Sequence, residues 1–147
     1  MSRFTTSSVF PDVNVWLALS SPDHEHFAKA WRWYNALDQA DVLYFCRITQ
    51  LGLLRLLTTQ IVMGQGVLSQ SEAWHAYDRW LSDAGAEFLE EPVGLDNVFR
   101  SRTQGPQASP QEWADAYLAA FAESAHLTLV TFDKALAGTA KGSVLLA

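Results

Sequence analysis

Residues 7–20 read SSVFPDVNVWLALS. SSVFPDV has the character of a short buried strand ending at Asp12, while NVWLALS places apolar residues at helical spacing, so the period changes at the aspartate. A strand that hands over directly to a helix is the unit from which parallel sheets are built. The same alternation recurs along the chain. Asp41 to Cys46 reads as a second strand, followed by ITQLGLLRLLT with Ile48, Leu51, Leu54 and Leu57 in helical register. Ala86 to Leu89 reads as a third, LTLVTF as a fourth closing on Asp133, and SVLLA as a last one. Ser21-Pro22-Asp23 stops the first helix and caps a second, HEHFAKAWRWYNAL, and Ser69 with Glu72 forms a capping-box pattern opening SEAWHAYDRWLSDA. Residues 95–103 suit a short helix. Ser109 with Pro110 suits the start of PQEWADAYLAAFAESA, ending near His126. The pattern predicts a three-layer α/β/α sandwich with a mostly parallel sheet.

The 147 residues are of single-domain size, and we expect one domain over 1–147. With 49% hydrophobic and 18% charged residues there is enough apolar material for a core, and intrinsic disorder is excluded. No apolar run is long enough to cross a bilayer and no cleavage signal follows the N-terminus, so a cytoplasmic location is expected. The single cysteine, Cys46, sits in the strand-like VLYFC, where a buried free thiol is the usual finding. A net charge of −6 argues against gripping nucleic acid through a wide basic face. It leaves room for a nuclease in which metal ions neutralise a carboxylate pocket.

In an open parallel sheet, ligands bind beyond the carboxyl ends of the strands. Asp12 and Asp133 stand at two such ends, and Asp115 lies one turn into the helix preceding the strand that closes on Asp133. Asp12 alone suits a helix cap and Asp133 alone a turn residue. Asp115 is harder to dismiss, because WADAYLAAFA is otherwise alanine-rich and aromatic, and an unpaired buried carboxylate is costly. Three converging aspartates are what a magnesium or manganese ion asks of a protein: hard oxygen ligands and space for water.

FPDVNVWLAL, TQLGLLRLLT, ADAYLAAFA and LVTFDKAL occur in an order and spacing that resembles the PIN domain, and together they look like VapC toxins of bacterial toxin-antitoxin modules. The resemblance implies a metal-dependent endoribonuclease with Asp12, Asp115 and Asp133 as family acids. It matches Asn14 to the small polar residue near the first acid and Thr131 to the hydroxyl residue near the last. It also implies an RNA substrate, a VapB-type antitoxin and a homodimer formed through helices. Gln50 falls where the family has its second acid. It is neutral, so either the site holds one ion or Glu112, one turn before Asp115, supplies the missing charge; the first is favoured. The alternative function is a PIN-fold RNA- or protein-binding module whose catalysis Gln50 has impaired. A receiver-like signalling domain ranks last, since Pro11-Asp12 offers one acid where a pair is required.

Arg55, Arg100 and Arg102 are the candidate phosphate-holding residues, Arg100 and Arg102 because they precede the turn-rich loop 103–110. The six tryptophans read as core and interface material rather than as platforms for bases.

Overall fold

The computed structural model describes residues 8–147. Five strands, β1 (Ser8–Pro11), β2 (Val42–Phe45), β3 (Glu87–Phe88), β4 (Thr128–Thr131) and β5 (Val144–Leu145), form one sheet in the order β3-β2-β1-β4-β5. Every pairing is parallel. β1 is central, and the connections run outward from it in one direction through β2 and β3 and in the other through β4 and β5. The strand order therefore reverses between β1 and β4, which is where such sheets open a ligand crevice.

Helices α1 (Val13–Ser20), α2 (Phe27–Asn35), α3 (Arg47–Leu57), α4 (Gln60–Met63), α5 (Gln70–Asp83), α6 (Leu95–Arg102), α7 (Trp113–Ala125) and α8 (Lys134–Thr139) complete the fold. Alternating strand residues feed two cores, because successive side chains leave a strand on opposite faces. Val9, Phe45 and Val130 join α1, α3 and α5 around Trp16, which stacks on Phe45 with centroids 3.8 Å apart. Phe10 and Leu129 join α7 and α8 on the other face, where Phe10 stacks on Phe121. The expected three-layer sandwich is the observed one.

Pro11 would be out of place inside a central strand. Here Asp12 N–H donates to the Val130 carbonyl on the β4 side, so the donor that proline lacks falls on the β2 side. Pairing with β2 has already ended there, at Val9 and Leu43.

Three local expectations needed correction. The second helix begins at Phe27 rather than at the Asp23 cap. Ser109 adopts φ 26° and makes no side-chain cap; Pro110–Glu112 is a 3-10 turn, and α7 proper starts at Trp113. In α3 the inward residues are Thr49, Gln50, Leu53 and Leu57, whereas Ile48 and Leu51 of the expected stripe are 42% and 54% exposed.

Gly52 allows α3 to approach α1. A Cβ there would stand 2.7 Å from Val13 Cγ2, a β-branched side chain with little rotamer freedom. Gly52→Ala gains up to about 1 kcal/mol of helix propensity but overpacks this contact at roughly 1–3 kcal/mol. We expect a net loss of about 1 kcal/mol on those figures, read as a lower urea midpoint at unchanged slope; an unchanged or raised midpoint would mean the contact is loose.

Candidate functional site

Asp12 is the first residue beyond β1 and caps α1. Its Oδ1 accepts from Val13 N–H at 2.6 Å and its Oδ2 accepts from the Thr131 hydroxyl at 2.9 Å. Thr131 ends β4, is fully buried, and its Oγ1 in turn accepts from Asp133 N–H at 2.9 Å. One hydroxyl thus ties together the ends of the two strands that flank the crevice. Asp133 caps α8, its Oδ1 accepting from Ala135 and Leu136 N–H. The expected cap and turn roles of Asp12 and Asp133 are both present, and they fix carboxylates whose remaining lone pairs are free to bind.

Asp115 sits in the first turn of α7. Burial raises its pKa, and the negative charges of Asp133, Asp12 and Glu112 raise it further. Burial likewise raises that of Asp12, with Asp133 adding to it, against the hydrogen bonds from Thr131 and Val13, which lower it. The three aspartates therefore share one neighbourhood, and every charge acting on Asp115 is of its own sign. That is the electrostatic signature of a site that wants a cation. Among the described residues no three acids, histidines or cysteines stand close enough together to hold a metal ion by themselves. The donor set, all hard oxygen, fits in chemistry a divalent ion that keeps much of its water between itself and the carboxylates.

The other candidates are placed less uniformly. Asn14 is exposed in the first turn of α1, two residues from Asp12. Gln50 is buried, but its Oε1 accepts from Arg47 Nη1 at 2.6 Å and its side chain reaches the Tyr77 hydroxyl. It faces α5, and no hydrogen bond joins it to the aspartates among the described residues. Glu112 is exposed and close enough to act on Asp115. Arg55 is exposed in the last turn of α3, about 12 Å along the axis from Arg47 at 1.5 Å per residue, on a helix running away from the carboxyl edge. Arg100 is paired with Asp96 at 2.7 Å. Arg102 is committed twice, to Glu123 Oε1 and to the Thr139 carbonyl, each at 2.7 Å.

Two residues escaped the sequence reading. Arg47 is the first residue of α3, separated only by Cys46 from the end of β2 at Phe45, and its guanidinium lies 4.6 Å from the centre of the Phe88 ring. The strand-end rule that selected Asp12 would have found it. Gly52 is the α3 position turned toward the start of α1, with Val13 filling the space a side chain there would take. Cys46 is buried, and burial raises its thiol pKa, which removes it as a nucleophile.

A cleft of about 640 Å³ opens beside Asp115, walled by Trp113 and Glu112 on one side and by Thr139 and the 105–109 loop on others.

The family model described as the PIN domain matches residues 9–142. The chain belongs to the PIN-domain family. This PIN domain is 41% identical over 132 residues to Ribonuclease VapC41 of Mycobacterium tuberculosis, covering 84% of this chain and 88% of that one. Solved structures share its fold. FitAcB from Neisseria gonorrhoeae superposes with a TM-score of 0.62 at 22% identity, covering 93% of this chain and 96% of that one. The sarcin-ricin-loop-cleaving toxin VapC20 of Mycobacterium tuberculosis gives 0.61 at 16%, covering 88% and 93%. PAE2754 from Pyrobaculum aerophilum gives 0.58 at 23%, covering 96% and 84%.

Proposed function

We propose that this PIN domain is the toxin of a toxin-antitoxin module, an endoribonuclease that hydrolyses RNA phosphodiesters with a magnesium or manganese ion held by Asp12, Asp115 and Asp133. The observation that carries the reading is the convergence of three aspartates at the β1/β4 switch point in a chain 41% identical to a VapC ribonuclease. When bound, such an ion lowers the pKa of a water and offsets charge on the phosphate. The chain's own residues do the rest. Thr131 holds Asp12 in one orientation, the N–H groups of Val13, Ala135 and Leu136 keep the carboxylates of Asp12 and Asp133 in place, and Asn14 stands exposed at the rim. Arg100 and Arg102 can reach phosphate only by leaving their acidic partners, and Arg55 only from a strand of RNA that extends past α3.

Gln50 carries no argument for lost catalysis, because its amide serves Arg47 and Tyr77 rather than the aspartates. The one-ion form of the site is favoured accordingly. We further assign it a VapB-type antitoxin as partner and a homodimer whose contact includes Ile48 and Leu51 of α3 with Ile61 and Val62 of α4, all of them exposed. No helix among the described residues is long and apolar enough to cross a membrane; with RNA as substrate, the cytoplasm is the proposed site of action.

Expression of the chain alone should arrest growth, and extracts should show RNA cleavage that stops on chelation of divalent ions. Asp12→Asn should relieve both. Unimpaired growth with abundant folded protein and no cleavage would favour the binding-module alternative.

A further inference from the structure

The cleft beside Asp115 contains a residue that neither the fold nor the metal site needs. Trp113 is 54% exposed, although an indole is among the most favourable side chains to bury. Its ring is held edge-on by Phe99, with centroids 6.1 Å apart, so one flank is fixed while much of its surface is left to solvent. It lies two residues before Asp115 and lines the same cleft. At about 640 Å³ that space is of the size that takes a nucleotide-scale ligand.

Charge in the cleft does not suit a phosphate. Arg102, the basic residue lining it, is already paired with Glu123 and hydrogen-bonded to the Thr139 carbonyl, while Glu112 and Asp115 add negative charge. With the whole chain at −6, affinity for RNA in the cleft beyond what the proposed ion supplies has to come from something other than ion pairing. Stacking on an aromatic face supplies it, and every base has a π-face to offer.

We propose that Trp113 is the platform for an unpaired nucleobase adjacent to the scissile phosphate, and that the cleft between the start of α7, α8 and the 105–109 loop is the subsite that receives this base. The inference rests on the ribonuclease reading and adds to it a base-binding subsite, a cleft into which an unpaired base can be splayed. Stacking is not counterion release, so the contribution of Trp113 should survive added salt.

The test is the affinity of a short labelled single-stranded RNA, followed by anisotropy with calcium in place of magnesium, alongside kcat and KM for cleavage with magnesium. Trp113→Ala should weaken RNA binding by about tenfold, the loss of one stacked base. That factor should be equal at low and high salt, the effect should fall mainly on KM, and Trp113→Phe should recover most of it. The melting temperature should hold, since the indole is half exposed. A parent protein that cleaves RNA while Trp113→Ala binds and cleaves as it does would overturn the base platform and leave the ribonuclease reading standing. A parent that neither binds nor cleaves RNA would overturn both. Loss of affinity for the antitoxin with RNA binding unchanged would make Trp113 a protein-interface residue, and the proposal would fall.

Discussion

Asp115→Asn is expected to remove metal-dependent RNA cleavage and, in the same protein, to raise the thermal stability of the metal-free form at neutral pH. Burial together with Asp133, Asp12 and Glu112 raises the Asp115 pKa above its ordinary value of 3.8. The folded chain therefore holds this proton more tightly than the unfolded chain does. Stability falls as pH rises from near 3.8 through the raised value, and above it the folded chain carries the cost of a buried charge beside other acids. A neutral amide of the same shape abolishes it. In the proposed site the same substitution deletes a ligand, so cleavage should drop by more than the roughly 10- to 100-fold that loss of a ligand's outer hydrogen-bond partner brings. Melting curves in chelator at pH 4 and pH 7, beside cleavage rates, check both halves. The gain should be present at pH 7 and shrink toward pH 4. An Asp115→Asn protein that is less stable at neutral pH would mean that the carboxylate has a stabilising partner.

Thr131→Val should have the second-largest effect, although it changes no ligand. Valine matches threonine in shape but not in the hydroxyl. The buried Thr131 Oγ1 donates to Asp12 and accepts from Asp133 N–H, so its loss strands a carboxylate oxygen and an amide together. Each stranded group costs about 1–3 kcal/mol. Asp12 would also lose its fixed orientation, and metal affinity should fall roughly 10- to 100-fold. Thr131→Ser, which keeps the oxygen, should bind metal nearly as the parent does. Equal affinity in the valine protein would show that Asp12 is oriented by its Val13 contact alone.

The fold was legible because its signals are local. The change of period at Asp12, the Ser69/Glu72 capping box and the strand closing on Asp133 need only neighbouring residues to be read. The positions of Asp12 and Asp133 were legible for the same reason, since each follows a strand end, whereas Asp115 stood out only as an acid in the otherwise apolar WADAYLAAFA. What failed depended on helix rotation. The stripe Ile48, Leu51, Leu54 and Leu57 and the inward set Thr49, Gln50, Leu53 and Leu57 differ by a fraction of a turn, and both are mainly apolar. Which of them packs is decided by Gly52 meeting Val13 and by Gln50 reaching Arg47 and Tyr77, contacts between elements far apart in sequence. A glutamate placed at 50 would meet the Arg47 guanidinium before any ion at the aspartates. The partners of the arginines were hidden for a related reason: Arg102 is a good donor in isolation, and Glu123 and Thr139, to which it is bonded, come from two other helices.

In the proposed site Asp12, Asp115 and Asp133 together hold one divalent ion. Calorimetric titration of magnesium into the parent protein, Asp12→Asn and Asp115→Asn at one ionic strength tests it most directly. Magnesium should bind the parent and fail to bind either variant, each of them still folded. Parental affinity in either variant would place the ion elsewhere and contradict the assignment.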